Sequence, residues 1–146
     1  MAFDVQKVRA RIQTIEENVR RLETLQDRPH DEFVGDFVVL EAAKHLLQVS
    51  IEAMMDIGTH LASRLRLKTP NDGAEVFRRL AQEGLLPADH LPTYTRMVKF
   101  RNRLVHLYQE VDAEQVYQVV QNELADFRTF VADVWTIVGR PSGANE

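Results

Sequence analysis

The stretch Val5-Gln-Lys-Val8-Arg-Ala-Arg-Ile12-Gln-Thr-Ile15-Glu-Glu-Asn-Val19-Arg-Arg-Leu22 decides the fold class. Its apolar residues recur at alternating spacings of three and four, and polar or charged residues fill most other positions. That pattern is an apolar seam along one helix, turned toward one partner surface. Asp27-Arg28-Pro29 ends it, because proline cannot continue a helix and restricts the residue before it.

The helical period continues outward from there. Phe33, Phe37, Leu40, Leu47, Ile51, Met54, Leu61 and Leu65 predict a second helix from near Asp31 over some 35 residues, with Gly58 as the candidate kink. Thr69-Pro70-Asn71-Asp72-Gly73 reads as a loop. A short helix follows with Val76, Phe77, Leu80 and Ala81 inward, and Gly84 is its expected stop. Pro87 and Pro92 frame the next helix, which carries Met97, Phe100, Leu104 and Leu107 to about Tyr108. Asp112 and Gln115 have the spacing of a capping box. A last helix then carries Val116, Val119, Val120, Leu124, Phe127, Val131, Val134 and Val138, ended by Gly139, Pro141 and Gly143. No alternating strand pattern, hairpin signal or internal repeat occurs. The expectation is all-α: an up-and-down bundle of five to six helices.

Composition narrows the class further. The chain has 146 residues, which predicts a single helical domain over residues 1–140 and a flexible tail over residues 141–146. With 45% hydrophobic and 27% charged residues it is neither collagen-like nor a disordered acidic chain. It has no cysteine, so disulfides, thiolate nucleophiles and cysteine zinc sites are excluded. Asp4, Glu16 and Glu17 interrupt the N-terminal segment, so no signal-peptide apolar block is present there. No apolar run reaches the roughly 20 residues of a bilayer span. The polar helix faces mix both signs, which argues against an amphipathic membrane binder. The expectation is a cytoplasmic protein.

Several chemistries are absent. There is no P-loop, no G-x-G-x-x-G and no G-x-S-x-G. No Glu is followed by His three residues on, the pair that di-iron bundles use. Glu52, Asp56 and His60 share a helix face at spacings of four, a thin set for a metal and a common arrangement for solvated pairs. His30, His45 and His90 have no partner at informative spacing and read as surface or loop histidines. The expectation is no metal and no cofactor.

One segment stands apart. Arg96, Lys99, Arg101, Arg103 and His106 fall within eleven residues that hold no acid, in a chain of net charge −4. Arginine offers a planar fork of donors suited to phosphate. Histidine exchanges protons near neutral pH. Such a set can bind an anionic substrate and move a proton without a metal. Helix geometry places Arg101 and His106 about 140° apart, so both cannot point into one small pocket of a straight helix. Convergence requires a helix end near His106, the reach of the arginine, or a second subunit.

Phe100-Arg101-Asn102-Arg103-Leu104-Val105-His106-Leu107-Tyr108 resembles the R-N-x-L-x-H-x-Y signature of HEPN-domain proteins of the HepT toxin type. Met54-Met-Asp-Ile-Gly-Thr-His60, the Phe77…Leu80…Gly84 segment and Glu110-Val-Asp112 are similar to that family's flanking patterns. The resemblance covers most of residues 5–138, in order. It implies an all-helical HEPN-like homodimer with two motifs beside a shared cleft. It also implies a metal-independent endoribonuclease, the toxin of a toxin–antitoxin pair. Its antitoxin would be a minimal nucleotidyltransferase of the MntA type, which transfers AMP from ATP to the motif tyrosine.

Carried over by position, Arg101 would stabilise charge on the phosphate and His106 would be the general acid or base. Asn102 would orient the site or hold the helix end, and Tyr108 would complete the site and accept AMP. Adenylates beside the cleft would add negative charge and bulk where RNA phosphate sits. Arg96, Lys99 and Arg103 would contact the RNA backbone, giving salt-dependent binding without sequence specificity. The alternative is a non-catalytic helical adaptor that binds the nucleotidyltransferase.

Overall fold

The computed structural model describes residues 3–67, 73–107 and 110–139. The first seam forms helix α1 (Val5–Gln26), and Val8, Ile12, Ile15, Val19 and Leu22 are buried. The Asp4 carboxylate accepts the Lys7 amide at 3.1 Å and caps its start. Most of that seam lies along α3 (Phe37–Arg64), with further contact to α6 and α7.

The second expected helix is broken, and not at Gly58. A short helix, α2 (His30–Gly35), ends at Asp36, which adopts an extended backbone (φ −107°, ψ 103°). The Asp36 carboxylate then accepts the amides of Val38 and Val39, starting α3 afresh. This restart turns Phe37 outward, and it is 75% exposed rather than in the core. Phe33 remains fully buried in α2. Helix α3 runs through Gly58 without interruption. Gly58 serves a close approach instead: a Cβ there would lie 2.9 Å from Phe77 Cε1 and 3.1 Å from Val76 Cγ1.

Those two side chains belong to α4 (Gly73–Gln82), which buries Ala74, Val76, Phe77 and Leu80 against α3 and α5. Gly84 ends the segment in the left-handed region (φ +77°), as a glycine stop requires. A 3-10 turn, Ala88–His90, leads into α5 (Leu91–His106), with Pro92 in the first turn where its missing N–H costs nothing. Asp112 caps α6 (Ala113–Asn122) by accepting the Gln115 amide at 2.8 Å. The Gln115 side chain accepts from Arg103 Nη2, so it does not close the box.

The expected last helix is also two. It breaks at Glu123 and Leu124 before α7 (Ala125–Val138). No glycine or proline marks this break in the sequence. Arg96 spans it, donating to Glu123 at 3.2 Å and to Asp126 at 3.3 Å. The two breaks raise the count to seven α-helices among the described residues, with no strand. The expected tail, residues 141–146, lies outside the described residues, as does most of the expected loop at Thr69–Gly73.

The core is a single apolar cluster drawn from every α-helix. Phe77, Tyr94 and Phe130 meet ring to ring within it. Asp133 is buried at their edge and accepts from Tyr94 Oη and His90 Nδ1, which satisfies a carboxylate that would otherwise be costly there. His90 therefore has a partner 43 residues away, against the expectation of an unengaged surface histidine. Burial and then the bond to Asp133 push the Tyr94 phenol well above its ordinary range.

Two other histidines join distant segments. His30 lies between Asp31 and Glu114, and its hydrogen bonds to Glu114 and then Asp31 raise its pKa above 6.5. His60 Nε2 accepts the Asp4 amide at 3.1 Å, and burial, then Lys7 and Arg64, lower its pKa below 6.5.

The tight seat at Gly58 predicts that Gly58→Ala lowers stability by about 1–3 kcal/mol, measured by urea unfolding, because a fully buried ring must give way. The two histidines predict opposite pH trends. His30 stabilises fully below pH 6.5, and its contribution fades as pH rises through its raised folded pKa. His60 contributes above pH 6.5, and that contribution is lost as pH falls toward its lowered folded value. In unfolding series from pH 5 to 8, His30→Ala should flatten the alkaline side and His60→Ala the acid side.

Candidate active site

Helix α5 carries the segment singled out by charge. Its buried residues Tyr94, Met97, Val98 and Leu104 define the inward arc. At 100° per residue, Arg101 falls on that inward arc, whereas Lys99, Asn102 and His106 share the outer one. The structure follows this division. Arg101 is half-buried and turned onto α3, while Lys99 and His106 are exposed. The helix stops at His106, because Leu107 leaves helical geometry (φ −130°, ψ 43°) while its amide still bonds the Arg103 carbonyl at 2.8 Å. Buried Val111 and the Asp112 cap then turn the chain into α6.

Arg101 is the most closely held of the motif residues. Its Nε and Nη2 donate to one oxygen of Glu52 at 3.0 and 2.8 Å. Its Nη1 donates to Asn102 Oδ1 at 3.0 Å. Gln48, one turn before Glu52 on α3, donates to the same Glu52 oxygen at 3.2 Å. Glu52 thus has a role that the sequence reading missed, having grouped it with Asp56 and His60. Those three go separate ways: Asp56 is exposed and pairs with Arg11 at 3.3 Å, and His60 accepts from Asp4. Among the described residues no cluster of three or more ligating side chains could hold a metal.

The other two arginines are also engaged. Arg96 pairs with Glu123 and Asp126, and Arg103 donates to Gln115 Oε1 at 2.9 Å. The segment lacks local acids, but α3, α7 and the turn before α7 supply them. Sequence spacing offered no signal for Glu123 or Asp126. Nor did it for Glu52, which lies 49 residues from Arg101 on another helix.

Arg96, Lys99 and Arg103 border a groove of about 400 Å³ between α3, α5 and α6, floored by Ile51, Met97 and Phe100. No hydrogen bond joins Arg101 to His106 among the described residues. Exposed Val105 and Leu107, at 40% and 45%, flank His106. Tyr108 lies outside the described residues. Among those residues, no helix is long and apolar enough to cross a membrane.

Comparison with known proteins bears on this arrangement. The chain is 31% identical over 121 residues to the mRNA nuclease HepT of Shewanella oneidensis, covering 83% of this chain and 90% of that one. It is 24% identical over 127 residues to the tRNA nuclease HepT of Aphanizomenon flos-aquae, covering 87% and 86%. Its fold is similar, with a TM-score of 0.80, to a tri-AMPylated Shewanella oneidensis HEPN toxin solved in complex with its MNT antitoxin. That match is 30% identical and covers 88% of this chain and 96% of the other. Residues 15–134 match the ribonuclease HepT-like family, and the chain belongs to that family.

Proposed function

We propose that this chain is an endoribonuclease toxin of a HEPN/MNT toxin–antitoxin pair, acting without a metal through Arg101 and His106 at a cleft shared by two copies. The observation that carries the reading is the R-x4-H motif on a helix that stops at its histidine, in a chain of the HepT-like family. His106 is exposed at that end, free to meet substrate. Arg101 stands about 140° away around α5, which a second copy beside it would bridge. The exposed apolar pair Val105 and Leu107 supports contact at this end.

The nucleophile is in the substrate. His106 takes the proton of an RNA 2′-hydroxyl, and the 2′-oxygen bonds to phosphorus. The P–O5′ bond breaks, and the 5′-oxygen leaves with a proton from the second imidazole of the cleft. A 2′,3′-cyclic phosphate remains. Arg101 stabilises the charge that builds on the non-bridging oxygens. Asn102 orients Arg101, consistent with the hydrogen bond between them. Lys99, Arg96 and Arg103 contact backbone phosphates, with Lys99 the most available. An MntA-type nucleotidyltransferase is the partner, and Tyr108 is the AMP acceptor. The likeness to an AMPylated toxin bound to its antitoxin supports both. A cytoplasmic location fits an RNA substrate.

A second reading has one observation in its favour. Arg96, Arg101 and Arg103 already have intramolecular partners, as an adaptor without RNA contacts would allow.

Induction of the wild-type chain alone should arrest growth, and His106→Ala at equal soluble expression should not. Growth arrest by both, or by neither, removes the toxin reading through this site. In vitro, cleavage should persist in EDTA and leave 2′,3′-cyclic ends. His106→Ala should lower kcat by about 10²–10⁴-fold. With the MntA-type partner and ATP, adenylate label should appear on Tyr108, and Tyr108→Phe should escape silencing.

A further inference from the structure

Arg101 is held differently from the other cations of α5. Its side chain is 23% exposed, whereas that of Arg96 is 55% exposed. A guanidinium has five N–H donors in a fixed plane. Three of them are committed: Nε and one Nη2 hydrogen to Glu52, and one Nη1 hydrogen to Asn102. The remaining two, one on Nη1 and one on Nη2, have no partner among the described residues. Glu52 therefore grips the Nε–Nη2 edge of the guanidinium and leaves one hydrogen on each terminal nitrogen uncommitted. A carboxylate acting as a brake would take those hydrogens instead.

Glu52 is itself held. It is one turn from Gln48, which donates to the gripping oxygen, and it sits on α3, against which α1, α4 and α5 pack. Arginine has several rotatable bonds, and a free one must be ordered whenever a phosphate arrives. Anchoring one edge beforehand removes that step and fixes the direction of the remaining donors.

We propose that Glu52 is a positioning residue for Arg101, fixing its guanidinium so that the unused Nη donors meet the scissile phosphate. This role rests on the ribonuclease reading above. Gln48 and Asn102 complete the clamp from either side. Glu52 touches no substrate and moves no proton.

The test uses the full-length chain, an oligoribonucleotide and total cellular RNA as substrates, and the variants Glu52→Ala, Glu52→Gln and Arg101→Ala. Glu52→Ala should lower kcat by up to about 100-fold, the scale of a small misplacement, with little change in KM. Glu52→Gln keeps an acceptor and should retain part of the activity. In the Arg101→Ala background, Glu52→Ala should add almost nothing, because both act through one group. The Arg101 Nε–H resonance should exchange slowly in the wild type and rapidly in Glu52→Ala.

Thermal unfolding of each variant separates lost folding from lost positioning. Unchanged kcat in folded Glu52→Ala overturns the proposal, as does faster cleavage by Glu52→Gln or an additive loss in the Arg101→Ala background. A wild-type chain that cleaves neither RNA overturns the ribonuclease reading, and this role with it. Wild-type cleavage with full activity in Glu52→Ala overturns this role alone.

Discussion

The packing of α3 governs the rest of the molecule. This helix spans 28 residues and buries residues along its whole length, from Val39 to Ala62. A helix apolar on so many sides must be covered by several others. Helix α1 covers one flank, α4 seats on Gly58, and α2, α5 and α6 take other faces. Each neighbour is amphipathic, and its inward arc is set by what α3 offers. The orientation of α5 follows from this, and so does the direction of its motif.

That orientation divides the motif in two. Tyr94, Met97, Val98 and Leu104 must face inward, and Arg101 shares their arc. A guanidinium cannot be half-buried cheaply without an anion, and Glu52 of α3 supplies it. His106 falls on the outer arc at the last helical residue, where the chain leaves for α6. One motif therefore holds a fixed cation and an open imidazole, separated by the helix itself.

The charge of the segment is likewise a property of the fold. Read along the chain, residues 96–106 form a basic run. In space, Glu52, Glu123 and Asp126 lie against it, and the field at its surface is weaker than a count of cations implies. Lys99 and the outer donors of Arg101 remain for an anionic ligand. In a chain of net charge −4, the positive charge left unneutralised on α5 is thus confined to a small region.

The helical class, the seam of α1, the glycine stop at Gly84, the Asp112 cap and the motif itself were legible from residue order, because each depends on neighbours within a few positions. The break at Asp36 was missed because the apolar period runs through Phe37, and a cap by Asp36 competes with it on nearly equal terms. The break before α7 was missed because the residues that flank it are held by Arg96 from another helix. His90 gave no sign of Asp133, nor Arg101 of Glu52, since those pairs lie 43 and 49 residues apart. Periodicity and local chemistry determined which helices form and which residues carry the motif. Only the tertiary structure decided which charges are neutralised, which arc of α5 is buried and how Arg101 is aimed, because those depend on contacts between segments that no local window contains.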